Sequence, residues 1–273
     1  MKIKRGLALL GVLGLAALTL TGCGKNGANQ EHAKDVTFLK DSKSSNQRIW
    51  YMVQWDTNDN NGTRLGETNT IDHILIVKNG KVTSYKTAIS FKSINKKSDD
   101  QILKLAKKED KDYFKWDLSA AKKEQERELY DLTGVNAKAD AVAKKAKTEF
   151  KTDNANATYE APTPHKITAQ VETGNTSDVI ASETLDAKER AFSGAGFNDD
   201  YSIYKAHYNT EAMPFVNYNT AFSTPVSVLD DMYTGYGVSN NDHGYYLLTK
   251  TTNKKTIAHF DTTKTKGVSI GDD

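Results

Sequence analysis

The dipeptide Asn79-Gly80 constrains the fold more than any other feature of this 273-residue chain. Asparagine and glycine tolerate the positive φ angles that a type I′ turn requires at both of its central positions. The flanking residues 71–78 and 81–87 are rich in β-favouring side chains, so they predict the two strands of a hairpin. The register that follows places Val77 opposite Val82 and Ile74 opposite Tyr85.

Another strand is predicted just upstream, where residues 48–55 read RIWYMVQW. Large apolar side chains fall on both faces of this segment, which is typical of a strand that is covered on both sides. Residues 36–94 are therefore expected to form an antiparallel meander.

The loop at residues 56–67, DTNDNNGTRLGE, has nearly the ligand spacing of an EF-hand calcium loop, with Asp56, Asn58, Asn60 and Glu67 as the oxygen donors. EF-hand loops join two helices, however, and both flanks here predict strands. The glycine also comes one place late, at Gly62, where it suits a turn with left-handed backbone. We expect a loop without metal; a weak calcium site is the alternative.

Residues 98–150 change in character, because they are rich in Lys, Glu, Asp, Ala and Leu and contain no proline. A first helix is predicted to start at Ser98, with acidic residues in its first turn. A second is predicted over residues 118–132 and ends at Gly134, a typical residue after a helix C-terminus. A third is predicted over residues 137–150, and the lysines within it are expected on its solvated face. The apolar positions predicted to be buried are Ile102, Leu103, Ala106, Ala139, Val142, Ala143, Ala146 and Phe150.

The remainder of the chain favours β-structure. Residues 151–164 contain two of the four prolines and predict a linker, and residues 165–172 alternate as a strand does. A last hairpin is predicted from residues 245–250 and 256–260. The fold class is therefore α+β: an N-terminal antiparallel meander, a central helical segment and a β-rich, tyrosine-rich C-terminal part. Residues 36–155 form one α+β domain, and residues 156–273 form either a second domain or the second half of the same one.

The N-terminus combines a positive start with a short apolar run. Lys2, Lys4 and Arg5 precede residues 7–20, and the segment closes with Leu-Thr-Gly-Cys at residues 20–23. This run is shorter than the roughly 20 residues of a membrane-spanning helix and suits the core of a signal peptide. The sequence LTGC resembles the lipobox of bacterial lipoproteins. A plain transmembrane anchor, or a secretory signal with an incidental cysteine, is the alternative.

The resemblance covers residues 1–23 and implies a location rather than an activity. It implies that residues 1–22 are a cleaved signal peptide, that Cys23 carries a diacylglyceryl group, and that the protein is anchored in the bilayer on the extracytoplasmic face of the cell membrane. Residues 23–35 are polar, contain two glycines and predict a flexible tether. The abundance of Lys, Asn and Thr is common in proteins of low-GC Gram-positive bacteria.

Composition and motifs exclude several classes of function. Loss of Lys2, Lys4 and Arg5 with the signal peptide turns the formal charge of +2 into −1, so no strong field favours nucleic acid. The chain contains Cys23 as its one cysteine and none of the spaced histidines of a zinc site. Each of the six histidines is expected to be a surface or loop residue. No serine nucleophile motif or phosphate-binding loop is present, so we predict no cofactor and no metal, and enzymatic activity is not indicated.

One regional bias remains, because residues 192–246 are rich in aromatic side chains and especially in tyrosine. Asparagine and aspartate residues lie among them, and aromatic faces beside amide and carboxylate groups suit sugar rings. The alternative is an ordinary β core in a region that is poor in Leu and Ile. The tyrosines proposed as possible ligand-binding residues are Tyr201, Tyr204, Tyr208, Tyr218, Tyr233 and Tyr236.

Three functions are compatible with these features. The first is a binding or structural role at the cell envelope, with contact to a cell-wall polymer. The second is a solute-binding lipoprotein of a transporter, although such proteins usually alternate strands and helices across two lobes. An envelope hydrolase is the third. A cleft with convergent polar groups would favour ligand binding inside the protein, and a flat aromatic face would favour contact with an envelope polymer.

Overall fold

The computed structural model describes residues 31–56, 65–174, 179–239 and 243–271. The helices in these ranges are α1 Phe38–Ser42, α2 Phe91–Ile94, α3 Asp99–Leu132 and α4 Ala137–Asn156. The strands of the first two-thirds are β1 Asp35–Val36, β2 Arg48–Asp56, β3 Thr70–Lys78, β4 Lys81–Ser90, β5 His165–Lys166, β6 Thr168–Thr173 and β7 Ile180–Asp186. The later strands are β8 Lys188–Ser193, β9 Gly196–Phe197, β10 Ile203–Tyr204, β11 His207–Ala212, β12 Asn217–Tyr218, β13 Thr220–Ala221, β14 Val226–Val228, β15 Asp231–Ser239, β16 His243–Thr251, β17 Ile257–Ala258 and β18 Val268–Ile270.

The main sheet contains eight strands in the order β13-β15-β16-β2-β3-β4-β5, with β14 also paired to β15. Strands β2, β3 and β4 are antiparallel neighbours, which confirms the meander. The C-terminal hairpin β15–β16 joins this meander through the pairing of β16 with β2. The fold is α+β with a β-rich C-terminal part, and the C-terminal hairpin shares the main sheet with the N-terminal meander.

The hairpin around Asn79-Gly80 has the predicted register. Asn79 and Gly80 adopt φ angles of 54° and 71°. Val77 pairs with Val82, and Ile74 pairs with Tyr85. The turn chemistry and the apolar pattern agree at this hairpin, so local sequence determines its register.

A second layer packs against one face of the main sheet. It consists of the sheet β12-β7-β6-β18, the pair β8–β11 and helix α1. The core between the layers contains Trp50, Leu75 and Leu247 from the main sheet and Ile167 and Leu185 from the second layer. The apolar side chains on both inner faces are removed from water, as in other sheet-on-sheet packings.

The other face of the main sheet forms a second core under the helices. Ile49, Tyr51 and Ile74 point into it from the sheet, and Phe91 of α2 and Ile102 of α3 cover them. The strands β2 and β3 therefore carry large apolar side chains on both faces, as the run at residues 48–55 predicted.

The helical segment forms two helices rather than the predicted three. Helix α3 runs without a break over 34 residues, because residues 111–117 lack the glycine or proline that would end it. Ser98 caps α3 through a reciprocal capping box with Gln101, which confirms the predicted start. Gly134, with φ of 82°, begins the turn into α4. Helix α4 extends to Asn156, into the predicted linker, and of its predicted apolar positions Ala143, Ala146 and Phe150 are buried.

The predicted hairpin of residues 245–250 and 256–260 is wrong. Strand β16 lies between β15 and β2, so both of its edges are already occupied. Strand β17 instead pairs in parallel with β1, with Asp35 opposite Ile257 and Val36 opposite Ala258. Hydrogen bonds from the Thr251 hydroxyl at the end of β16 and from the backbone N–H groups of Thr252, Ile257 and His259 thus hold residues 31–36, and the described part of the predicted tether packs on the domain.

Some expectations concern residues outside the described ranges. The signal peptide and Cys23 precede residue 31, and most of the EF-hand-like loop lies at residues 57–64. Among the helices that the structure describes, none is both long and apolar enough to cross a membrane.

Candidate functional site

A cleft of about 400 Å³ lies between the main sheet and the second layer. Ligand sites in proteins commonly have volumes of about 300–1,000 Å³. The main sheet, helix α3 and the second layer all contribute to its walls, which combine aromatic, amide, carboxylate and basic side chains. The lining residues are Met52, Val53, Gln54, Asp72, His73, Lys86, Thr87, Tyr113, Glu189, Pro214, Tyr218, Tyr245 and Tyr246.

The register of the main sheet brings part of this lining together. Met52 of β2 lies opposite His73 of β3, and His73 lies opposite Lys86 of β4. Residues that are directly opposite share one face of a sheet. The three side chains therefore form a row across three strands, facing Glu189 of β8 in the second layer.

Glu189 is the buried carboxylate at the centre of this row. Its Oε2 accepts a 2.8 Å hydrogen bond from the Ser84 hydroxyl and lies 3.4 Å from Nε2 of His73. Its Oε1 lies 3.6 Å from Nζ of Lys86. Burial alone would raise the pKa of Glu189, but His73, Lys86 and Ser84 together lower it below its ordinary value. Glu189 is therefore a fixed, ionised group with basic neighbours.

His73 is the most unusual residue of the lining. It is 8% exposed, and neither ring nitrogen forms a hydrogen bond of normal geometry within the described ranges. The 3.4 Å approach to Glu189 is longer than the usual 2.7–3.2 Å of an N–H···O bond. A buried polar atom without a partner is destabilising, and a hydrogen bond from a ligand in the cleft would relieve that cost. The expectation that every histidine is a surface or loop residue is wrong for His73.

Helix α3 closes the cleft beside strand β4. Strand β5 pairs with β4 only at Lys81 and Val82, so the rest of that edge has no strand neighbour among the described residues. Asp110 of α3 accepts the Lys86 backbone N–H at 2.8 Å, which satisfies part of the open edge. Tyr113, one turn further along α3, reaches the cleft from the same direction.

A small hollow of about 30 Å³ adjoins the cleft and shares Lys86 and Tyr113 with it. This hollow has room for about one water molecule. Tyr208 lies here, with the Arg190 guanidinium 4.4 Å above its ring and its hydroxyl accepting the Glu160 N–H at 3.1 Å. Phe192 packs edge-on against the same ring. Tyr208 is thus held in a structural aromatic cluster.

The six tyrosines of the predicted ligand site do not form one surface. Tyr201 and Tyr204 are 59% and 37% exposed, and neither of them lines the cleft. Tyr218, Tyr233 and Tyr236 are buried, and of the six only Tyr218 lines the cleft. Tyr236 and Tyr218 belong to the core between the layers, whereas Tyr233 belongs to the core under the helices. The six tyrosines therefore lie in different parts of the structure, and a role of any of them in ligand binding stays a prediction.

Tyr236 illustrates why a ring in this region can be fully buried. It stacks on Trp50 with ring centroids 5.8 Å apart. Its hydroxyl accepts the Phe38 N–H and donates to the His259 carbonyl, both at 2.8 Å. A buried tyrosine needs such partners for its hydroxyl. The alternative of an ordinary β core holds for Tyr218, Tyr233 and Tyr236.

The sequence analysis missed the residues that line the cleft. His73 and Glu189 are 116 positions apart, and only the packing of two layers brings them together. A local signal did exist, since His73 follows Asp72 inside the otherwise apolar strand β3. Polar residues at buried strand positions are uncommon unless they are paired or functional.

The described residues contain no group of three or more His, Cys, Asp or Glu side chains that is arranged to hold a metal ion. In the comparisons with known proteins, no family model, no curated protein and no solved structure matches this chain.

Proposed function

We propose that this chain is a lipid-anchored, extracytoplasmic binding protein that holds a small polar ligand in the cleft between its two layers. The observation that carries the proposal is His73, a buried imidazole at the wall of a 400 Å³ cleft whose ring nitrogens form no hydrogen bond of normal geometry with the described residues. The resemblance of residues 20–23 to a lipobox supports the location.

The balance of charge in the cleft favours a neutral ligand. Lys86 lies next to Glu189 and so has a counter-charge within the protein, and the His73 ring lies against the same carboxylate. Burial raises the pKa of Asp72, and the neighbouring His73 offsets part of that rise. An anionic or cationic ligand would have to disturb these pairs, whereas a neutral ligand with hydroxyl groups can hydrogen-bond to them as they stand.

The aromatic side chains favour a saccharide among neutral polar ligands. Tyr113, Tyr245 and Tyr246 line the cleft, together with the amide of Gln54. Tyrosine rings pack against apolar C–H faces, while amide and carboxylate groups bind hydroxyls. The proposal therefore keeps wall glycan as the ligand class and places it in the cleft, which contains Tyr218 of the six predicted tyrosines.

The two other predicted functions have less support. The main sheet is shared between both halves of the chain, so the described residues lack the two separate α/β lobes expected of a transporter's solute-binding protein. Glu189 has three polar neighbours, an arrangement that suits a fixed binding group better than a free nucleophile or proton donor.

The ligand prediction can be tested by calorimetric titration of the mature protein with neutral oligosaccharides of N-acetylglucosamine. We expect saturable binding at micromolar to millimolar concentration, on the order of −4 to −8 kcal/mol. Tyr245→Ala and His73→Gln should each weaken it about tenfold, as loss of one good contact does. Tyr204→Ala is the matched control, because Tyr204 is an exposed tyrosine away from the cleft.

Weaker binding by Tyr204→Ala, with no change in Tyr245→Ala, would move the site to the exposed tyrosines. The absence of saturable binding by the wild-type protein would contradict the saccharide as ligand. Cell fractionation tests the location independently, since Cys23→Ala should leave the protein unprocessed or release it from the membrane.

A further inference from the structure

Three lysines lie side by side at the hairpin end of the main sheet. Lys78 is opposite Lys81 across the Asn79-Gly80 turn, and Lys81 is opposite Lys166 of β5. Directly paired residues share one face of a sheet, so the three side chains form a row across β3, β4 and β5. Like charges in such a row destabilise a sheet, and the fold nevertheless retains them.

Two further lysines extend this row into a patch. The Lys43 side chain lies beside two glycines. Its Cδ is 3.3 Å from the position that a Cβ atom would take at Gly80, and its Nζ is 3.7 Å from the corresponding position at Gly267. Lys43 thus spans from the hairpin turn to the residue after Lys266. Partial burial lowers the pKa of Lys43, and the charges of Lys166 and Lys266 lower it further. We call Lys43, Lys78, Lys81, Lys166 and Lys266 the lysine face.

The lysine face forms no ion pairs within the part of the chain that the structure describes. All five residues are exposed. Asp261 acts on the Lys43 ammonium, but this carboxylate is buried and accepts the backbone N–H groups of Leu39 and Lys40. The positive charge is therefore available to an anionic partner outside the chain.

The path of the N-terminus places this face on the side of the proposed anchor. The Glu31 carbonyl accepts hydrogen bonds from Thr251 and Thr252 at the end of β16. That end of β16 lies next to Arg48 at the start of β2, and Arg48 is opposite Val77. Glu31 and the lysine face thus share one end of the main sheet, about 10–19 Å apart at the usual strand spacing.

The chain between Cys23 and Glu31 is short. Eight residues span at most about 29 Å when fully extended. An acyl chain on Cys23 would therefore keep this end of the sheet close to the bilayer. The cleft lies toward the other end, since Lys86 follows Lys81 by five residues, or about 17 Å, along β4.

We propose that the lysine face docks on the anionic phospholipid headgroups of the membrane that carries the anchor, which holds the cleft away from the bilayer. The proposal rests on the lipid anchor of the proposed function, but not on the identity of the ligand. Basic residues are attracted to an anionic bilayer within about one Debye length, near 10 Å at 0.1 M salt. Because the anchor makes docking intramolecular, weak attraction per lysine is sufficient.

The test uses the lipidated protein in vesicles of phosphatidylcholine, with or without phosphatidylglycerol, that carry a quencher on their headgroups. With Cys23 lipidated, one introduced cysteine provides a unique site for a fluorescent label. Ser45→Cys places the label beside the hairpin turn, where the Ser44 carbonyl accepts the Asn79 N–H. Thr68→Cys places it near the start of β3, at the opposite end. Both positions are exposed.

We expect strong quenching of the Ser45 label, and not of the Thr68 label, in vesicles that contain phosphatidylglycerol. Replacing Lys78, Lys81 and Lys166 by Gln should reduce that quenching to the level seen with phosphatidylcholine alone, as should 1 M salt, where the Debye length is about 3 Å. The matched control replaces Lys144, Lys145 and Lys147 of α4, also exposed, and should retain the quenching.

Three results would overturn the proposal, and they have different meanings. If the protein floats with the vesicles but its Ser45 label is quenched equally with and without anionic lipid, docking is disproved and the anchor stands. Protein that does not float with either vesicle would disprove the anchor, and docking would fall with it. Equal quenching before and after the triple lysine replacement would assign the orientation to other residues and would also disprove the lysine face.

Discussion

Tyr236 in the main sheet is completely buried between two aromatic rings, whereas Tyr130 on helix α3 is 81% exposed. The two regions around them differ in the same way. The sheet is covered on both faces by apolar cores, but helix α3 extends about 51 Å and buries few of its residues. The sheet depends on tertiary packing, and the helical hairpin depends more on its caps and on local helix propensity.

The largest expected effect comes from removing the ring of Tyr236. Tyr236→Ala takes away its stacking on Trp50 and Phe260 and both hydrogen bonds of its hydroxyl. We expect it to lower the free energy of unfolding by about 3–5 kcal/mol, as for other buried aromatic residues. Tyr130→Ala should change it by no more than about 0.5 kcal/mol. Urea unfolding followed by tryptophan fluorescence measures both, and equal effects would contradict the contrast between the two regions.

A smaller effect concerns two buried carboxyl groups in the sheet region. The Asp261 N–H donates to Glu183 Oε2 at 2.8 Å, and both side chains are almost fully buried. Burial, together with the charge of Asp261, raises the pKa of Glu183 well above its ordinary value of 4.5. Glu183 therefore binds a proton more tightly in the folded state. Its contribution to stability is complete below pH 4.5 and is lost as the pH rises through the raised pKa.

Glu183→Gln should remove this pH dependence, because the amide stays neutral throughout. We expect the wild type to lose stability relative to the variant as the pH rises, by about 1.4 kcal/mol for each unit by which the folded-state pKa exceeds the unfolded-state pKa. Urea unfolding at a series of pH values gives this difference. Glu126→Gln, which removes an exposed carboxylate from α3, is the control. A constant difference between wild type and Glu183→Gln would show that Glu183 is ionised in the fold.

The smallest expected effect is at the start of α3. The Ser98 side chain accepts the Gln101 N–H, and the Gln101 side chain accepts the Ser98 N–H in return. Ser98→Ala should cost about 1 kcal/mol and speed amide hydrogen exchange in the first turn. Ser119→Ala, at an exposed interior position of the same helix, should be neutral or slightly stabilising. Unchanged exchange in Ser98→Ala would mean that packing, rather than the cap, holds this end.

The elements that depend on local chemistry were predictable from the sequence, and those that depend on distant partners were not. Asn79-Gly80 gave the correct register because the turn and the apolar pattern agree. The predicted last hairpin was wrong because of the turn before β17. The Thr256 hydroxyl donates to the Ala33 carbonyl there, and the following strand pairs with β1. The cleft could not be predicted, because Glu189 reaches His73 only when β8 packs across the main sheet.

The position of β16 between β15 and β2 has a consequence for folding. Until residues 243–251 are synthesised, the meander β2–β3–β4 has an unpaired edge along β2. One face of the meander also lacks part of the apolar layer that covers it in the complete fold. Contacts that join residues nearly 200 positions apart are slow to form, because a long loop must close first. The open edge of β2 can pair with another chain in the meantime. The strand that ends this risk of aggregation is therefore among the last three of the described strands to be made.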